Sequence, residues 1–596
     1  MAVLEAPPAT PAAPSPRRVR GGGDPWYRNA PYWLLTVLLA LVVCGPVIVL
    51  ISGSLSASPL PGKVPFDNVT FDNYKTVYGD SLVYSVLFDT VVYTVLATVI
   101  GIAVAFALAY LVARTNLPGK WMVYAAVAMA LMIPGMLDAM AAVVLFSPRI
   151  GFVNKWIDTI FHTGPGFINI YSLGGMVALE AVRVVPTAFL MLAPLISNLD
   201  VSYEEAGEMS GMSRARVIRT VTAPLLRPGL LGIVIYQALT VLSSFEIPGL
   251  LGLPGRVYVF STVIYSYTSP SGAQGSGLPQ YNVASALGIV YVLAALVGLW
   301  LYVRALRTSQ SFAVVTGKGH RAKKLDLRFW RWPVAVLVGL YLLLTTVLPI
   351  LTLVWTSFTP YLLTPSIEAI DRLNTESWES LFRNDLLGDV IRNTLILVVG
   401  ASTLVMVLST MISWVTVKTR FKGRRLLDQL SFIPHGVPGI VVALGMIWIV
   451  LSLPGQPGYG TIGMLIVAVS IGYIAYGVRT TSAALMQIHN DLTESAAVSG
   501  MRGGQVWRRI LAPLLARSAL GLWLWAALQT ARSTAIPVML QAGGSYVAGS
   551  FLWVLWNQGH TSTAAAFGVS LFVVLLVLSG LVGLLALSSR WVRARH

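Results

Sequence analysis

Long, almost uncharged apolar runs constrain this chain more than any other feature. About 20 apolar residues cross a bilayer as an α-helix. Inside lipid the backbone must satisfy its own hydrogen bonds, which leaves helices or closed barrels. Twelve runs can be marked, at roughly 31–53, 86–112, 121–146, 173–197, 229–251, 284–306, 333–357, 389–416, 427–452, 462–484, 518–541 and 563–588. Of the 596 residues, 56% are hydrophobic and 11% charged, against about a quarter charged in a typical soluble domain. The expected class is all-α: a polytopic membrane protein with about twelve transmembrane helices, its main partner the lipid bilayer.

Charge orients these helices. A net charge of +17 would suggest nucleic-acid binding in a soluble protein. Here Lys and Arg gather between apolar runs, the pattern of cytoplasmic loops beside anionic lipid, so no nucleic acid is expected as a partner. The segment 307–332 carries Arg307, Lys318, Arg321, Lys323, Lys324, Arg328 and Arg331 against Asp326, and reads as a basic cytoplasmic linker. Residues 1–30, with Arg17, Arg18, Arg20 and Arg28 among Ala and Pro, read as a disordered cytoplasmic tail. The run that follows is too long for a signal-peptide core and reads as a retained span. Arg590, Arg593 and Arg595 put the C-terminus in the cytoplasm too. The segment after the first run, with Asp67, Asp72 and Asp80 against Lys63 and Lys75, falls on the outer face. Two six-span halves result, 31–306 and 333–596. Each is one span, a loop of about 30 residues and five more spans.

Several chemistries are not expected. The single cysteine, Cys44, allows no intrachain disulfide and no thiolate cluster. The six histidines are scattered without ligand spacing, so no metal site is expected. No G-x-x-x-x-G-K-[ST] loop is present to cradle ATP phosphates. No catalytic cluster of His, Asp or Glu is evident at membrane depth, so the chain reads as non-catalytic and without a cofactor of its own.

An internal repeat follows the fourth span of each half. The first copy reads EEAGEMSGMSRARVIRTVTAPLLRPGL from Glu204, and the second TESAAVSGMRGGQVWRRILAPLLARSAL from Thr493. Glu494, Gly500 and Pro513 each lie 289 residues after Glu205, Gly211 and Pro224, and Pro537 lies 289 after Pro248. Glu, Ala and Met favour helix. A glycine at a helix end takes the left-handed conformation that other residues avoid. A second helical stretch follows, with Arg214, Arg216 and Arg219 or Arg502, Arg508 and Arg509. Proline then opens the next helix, where its missing N–H costs little. Each copy is a helix, a turn and a helix on the cytoplasmic face, shaped for a partner's groove. The small residues Ala206, Gly207, Ala496 and Ala497 permit close backbone approach.

The residues Glu205-Ala206-Gly207, Gly211, Val221, Ala223 and Pro224 resemble the E-A-A, G, I, L-P signature loop of binding-protein-dependent ABC importer permeases. The second copy does too, with Glu494-Ser495-Ala496, Gly500, Ile510, Ala512 and Pro513. Gly207 and Ser495 each replace an Ala, and Ala stands for the Leu before Pro, all conservative changes. The resemblance covers about residues 31–590. It implies the type I ABC importer permease fold with both halves fused, in a bacterial inner membrane. It implies that the loops are coupling helices seated in two copies of an ABC ATPase subunit. ATP and Mg would be bound there, and a solute-binding protein would deliver cargo on the other face. The segments IPGM at 133–136, IPHGVPGIVVALGM at 433–446 and FEIPGLLGLPG at 245–255 resemble the iron(III)/thiamine/polyamine branch. That branch implies iron(III) as cargo, with a polyamine, thiamine or a phosphonate as other candidates. The alternative class is a twelve-span secondary transporter of the major facilitator type. Its G-x-x-x-D-R-x-G-R-R element is absent between spans two and three, which read ARTNLPGK and KTRFKGRR in the two halves.

By the same resemblance the fifth span of each half lines the translocation path. Glu246 falls about 17 residues into the fifth run, a depth at which a charge is costly and points to function. Arg532 lies three residues before the equivalent position in the eleventh run. Ser243, Ser244, Ser533 and Thr534 stand beside them, and Pro248 and Pro537 free carbonyls towards the path. Two readings stay open. Glu246 and Arg532 line the path, or they form a structural ion pair, with Glu246 alternatively hydrated at the interface. Glu180 and Arg183, spaced i and i+3, read as a structural pair. Arg479 reads as snorkelling to the interface.

Overall fold

Each long apolar run folds as helix, because only intrahelical bonds satisfy a backbone surrounded by carbon. The computed structural model describes residues 26–62, 69–164, 166–197, 202–269, 278–310, 325–501 and 503–593. Most of the expected tail and linker, with Arg17, Arg18, Arg20, Lys318, Arg321, Lys323 and Lys324, lies outside these residues. So do Lys63, Asp67, Arg502 and Arg595. Nine described helices are individually long and apolar enough to span a bilayer: Asn29–Ser54, Ser81–Arg114, Leu173–Ser197, Tyr281–Leu301, Arg328–Ser357, Leu386–Lys418, Ile462–Met486, Gly504–Ala531 and Thr561–Gly580. Three more spans are bent pairs: Lys120–Ala130 with Gly135–Phe146 at 100°, Ile218–Arg227 with Gly229–Leu242 at 66°, and Arg424–Gly436 with Gly439–Ser452 at 107°. In chain order these are spans one to twelve.

The breaks interrupt runs expected as single spans, and proline explains two of them. Pro134 and Pro438 precede the second pieces of spans three and nine, with φ near −58° and −59°. Proline removes a donor and pushes the residue before it out of helical conformation. The long helices of spans five and eleven end at Leu242 and Ala531, short of the 251 and 541 expected from hydropathy. Pro248 and Pro537 lie just beyond, in the pieces Pro248–Gly252 and Ala535–Leu540. Glu246 therefore follows the break at 243–245, as the first residue of the next helical piece, and is not deep inside a continuous helix.

Two further helices, Phe260–Thr268 and Ala548–Asn557, fill what hydropathy leaves as connections between spans five and six and between eleven and twelve. They are mostly buried. Thr262 Oγ1 accepts from the Val259 N–H at 3.0 Å, and Ser550 Oγ from the Val547 N–H at 3.1 Å, so both helices start alike. Tyr265 and Trp553 hold the same place in each helix, and Trp553 Nε1 donates to Tyr265 Oη at 3.2 Å. Contact between equivalent residues puts the pseudo-twofold axis of the repeat here. Phe245 packs on both rings, at centroid distances of 5.4 and 5.2 Å.

The two sequence repeats interlock. Span one packs on span nine and on span six, while span seven packs on Gly135–Phe146 and on span twelve. Leu35, Leu39 and Val43 of span one join Ile412, Phe421, Leu427, Ile474 and Val478 in one buried cluster. Leu348 and Trp355 of span seven pack against Val144, Leu145 and Phe152. The end of the linker is strapped to the loop after span two. The Asn116 N–H donates to the Leu325 carbonyl at 2.9 Å, and Asn116 Nδ2 to Asp326 at 2.6 Å. Hydrogen bonds from the Arg328 backbone and from Asn116 hold the Asp326 carboxyl below its ordinary range.

At the crossing of spans one and nine, a Cβ on Gly445 would meet Pro46 Cβ at 2.7 Å. Gly445→Leu is expected to lower stability by about 1–3 kcal/mol through overpacking. Gly472→Leu enters open space and is expected not to lower it. Thermal unfolding of the purified chain distinguishes the two.

Candidate translocation site and coupling loops

The first loop folds as Ser202–Met209, a turn at Gly211, Arg214–Val217, one π turn at Ile218–Thr222, and the helix Ala223–Leu242. The second repeats it as Asn490–Val498, Gly500, Gly503–Val506, a π turn at Trp507–Leu511, and Ala512–Ala531. Gly211 and Gly500 have φ of +79° and +77°, where a side chain would be strained. Each first helix closes with a matching bond: the Met212 N–H to the Gly207 carbonyl at 3.2 Å, and the Met501 N–H to the Ala496 carbonyl at 3.0 Å. These are the bonds of a Schellman cap.

The small residues divide by role. Gly207 and Ala496 are buried inside their loops. A Cβ on Gly207 would stand 3.1 Å from Val217 Cγ2, and Ala496 packs with Val506 and Leu511. Ala206 and Ser495 are exposed, as are Glu205, Gly211, Gly500, Pro224 and Pro513. Only the backbone of Glu494 is described. Glu204 accepts a hydrogen bond from Thr222 Oγ1 at 2.9 Å, tying the loop helix to the π turn. Met209 and Val498, at equivalent places, are 87% and 90% exposed. This apolar pair escaped sequence reasoning because it falls between the signature positions.

The second site lies where span five breaks. Glu246 Oε2 is 3.8 Å from Arg183 Nη1, and Asp138 Oδ2 is 3.9 Å from Arg183 Nε. These side chains are 17%, 21% and 15% exposed for Glu246, Arg183 and Asp138. Gly135 makes room, since a Cβ there would overlap the Arg183 guanidinium. Glu180 is buried and accepts from Tyr93 Oη at 2.8 Å and from Ser244 Oγ at 3.1 Å. Across the interface, Arg532 caps the end of its helix and donates to the Leu131 carbonyl, inside the bend of span three. It also donates to Gln529 Oε1 at 3.4 Å, and it lies within electrostatic reach of Asp138, Glu246 and Arg183.

The structure thus places Ser243, Ser244 and Glu246 at the break after span five, and Arg532, Ser533 and Thr534 at the break after span eleven, with Pro248 and Pro537 buried just beyond each. It sets the ion contacts. The ion partner of Glu246 is Arg183 and not Arg532. Glu180 takes hydrogen bonds from Tyr93 and Ser244 and still acts electrostatically on Arg183, which also meets Asp138 and Glu246 at 3.9 and 3.8 Å. Arg479 bridges Asp428 at 3.2 Å and covers the Phe432 ring at 4.9 Å, with half of its side chain exposed. Asp138 went unnoticed in the sequence. Its signal is the one that marked Glu246, a lone acid in an apolar run.

The cluster is one-sided. At the places equivalent to Glu180, Arg183 and Glu246 stand Val469, Gly472 and Ala535, each 289 residues on. Val442 follows Pro438 as Asp138 follows Pro134. Glu180→Leu is expected to leave two buried hydroxyls without an acceptor, at about 1–3 kcal/mol each. Glu180→Gln keeps an acceptor and should cost less. Melting temperatures of the two purified variants check the order.

The sequence matches the family described as "Binding-protein-dependent transport system inner membrane component" over residues 97–307 and 390–592. It is 26% identical over 451 residues to the ferric transport system permease protein FbpB of Actinobacillus pleuropneumoniae, covering 73% of this chain and 62% of that protein's length. It is 28% identical over 206 residues to the trehalose transport system permease protein SugB of Mycobacterium tuberculosis (strain CDC 1551 / Oshkosh), covering 34% of this chain and 69% of that one. A solved structure, a bacterial ABC transporter involved in the import of the acidic polysaccharide alginate, aligns with a TM-score of 0.38 and 21% identity. That alignment covers 48% of this chain and 99% of the other. With the matched regions spanning most of both halves, this chain belongs to the family of binding-protein-dependent transport system inner membrane components.

Proposed function

We propose that this chain is the membrane permease of an ATP-driven importer whose cargo is ferric iron. One observation carries the reading. Two equivalent loops at one offset each run through a π turn into the helix that ends at the charged break. The family description supplies dependence on a binding protein. The ferric transport relative supports iron over polyamine, thiamine or phosphonate.

In this reading the chain lies in a bacterial inner membrane with both termini in the cytoplasm. Two copies of an ABC ATPase subunit, which bind the ATP and Mg, receive the loops through Glu205, Ala206 and the exposed Met209, and through the second loop with Ser495 and Val498. Closure of the ATPases pulls the loops together. The helices Ala223–Leu242, bent by 66° between Arg227 and Gly229, and Ala512–Ala531 carry that movement to the breaks. A solute-binding protein delivers iron to the outer face, and hydrolysis resets the path. ATP acts by favouring one conformation over the other.

Glu205→Arg combined with Glu494→Arg is expected to abolish co-purification of the ATPase while the permease stays in the membrane. Retained ATPase would contradict the docking role. Glu246→Gln and Arg532→Gln are each expected to reduce radioactive iron uptake in a deletion strain at least about tenfold, the equivalent of ~1.4 kcal/mol. Wild-type uptake in both would remove them from the path. Uptake of putrescine without iron by the unaltered chain would reassign the cargo.

A further inference from the structure

We infer that Arg532 is the latch that holds the two halves closed across the path, with Asp138 of the other half as its counter-charge. This deepens the importer reading proposed above and rests on it. Arg532 belongs to span eleven of the second half, at the last turn before the break. Its guanidinium reaches into the first half and donates to the Leu131 carbonyl. That carbonyl lies at the C-terminal end of the helix Lys120–Ala130, where the next turn is lost to the 100° bend before Pro134. A helix C-terminus carries negative partial charge, so a cation there is held by the dipole as well as by the bond.

The charges agree in sign. On the first-half side, Asp138 and Glu246 lie within electrostatic reach of Arg532 together with Arg183, two carboxyls against one guanidinium. Arg183 already serves Asp138 and Glu246 at 3.9 and 3.8 Å, longer than a charge-assisted hydrogen bond, so neither carboxylate is saturated. In the second half, the equivalents of Asp138, Glu180 and Glu246 are apolar, and Ser243 occupies the place equivalent to Arg532. There is one latch and not two. It crosses the line along which spans five and eleven must part when the coupling loops move, so opening must break it.

The test uses the full chain in nanodiscs, with Cys44→Ala removing the native thiol. Ser533→Cys, next to the latch and half-buried, is labelled with an uncharged PEG-maleimide. Ser470→Cys, buried in span ten, reports general loosening. With Arg532 intact both thiols are expected to react slowly. Arg532→Ala is expected to raise the labelling rate of Ser533→Cys about tenfold or more while Ser470→Cys stays protected. Asp138→Asn should give a smaller rise, and Arg532→Lys, which keeps the charge, should restore protection. Unchanged labelling of Ser533→Cys, an equal rise at both thiols, or no protection by Lys overturns the latch. Absence of any cargo uptake by the unaltered chain would instead count against the importer reading, and the labelling result would stand apart from it.

Discussion

A charge at membrane depth persists only where partners surround it, and Arg183 is where this protein meets that demand. Its guanidinium lies between Asp138 and Glu246 and over a glycine that leaves it room. Each partner arrives from a different element. Asp138 follows the bend of span three, Arg183 comes from the middle of span four, and Glu246 follows the break after span five. Tyr93 of span two and Ser244 then fix Glu180 beside them. Four spans of the first half are thereby tied at one point. The bends needed for this expose carbonyls, one of which is taken by Arg532 from the other half.

The sequence shows the spans, the repeat and the loops because each follows from a simple rule. Bilayer thickness sets run length, and one 289-residue offset aligns Glu205 with Glu494 and Gly211 with Gly500. The breaks were half visible. Pro134, Pro248, Pro438 and Pro537 stand in the sequence, but apolar residues continue past them and hydropathy averages across the bend. The buried helices Phe260–Thr268 and Ala548–Asn557 are too short to register as spans, although they lie at the axis between the halves. The partners from other spans were hidden for a different reason. Spacing along one helix suggests Glu180 with Arg183, and only helices meeting in space add Tyr93 and Ser244 to the one and Asp138 and Glu246 to the other. The crossing of span one to span nine has no sequence signature, since a repeat says which segments are alike and not which ones touch.

Symmetry and asymmetry divide cleanly between the two ends of the lever. The loops match in backbone, with Met212 to Gly207 repeated as Met501 to Ala496, while side chains such as Glu208 and Arg216 give way to Ala497 and Gln505. The breaks do not match. One carries carboxylates and Arg183, and the other carries Arg532 beside Gln529, Ser533 and Thr534. Two copies of either half would place like charges, or none, across the path. Joining the halves in one chain ensures that each complex holds one of each, and the interlocked first and seventh spans keep them in register.

The most direct measurement is a double-mutant cycle for thermal stability of the purified chain with Arg532→Ala, Asp138→Asn and both together. If charge across the halves holds the closed arrangement, the two changes are coupled, with an interaction of about 0.5–3 kcal/mol. Additive effects, agreeing to within about 0.5 kcal/mol, would show that Arg532 and Asp138 act independently and would contradict it.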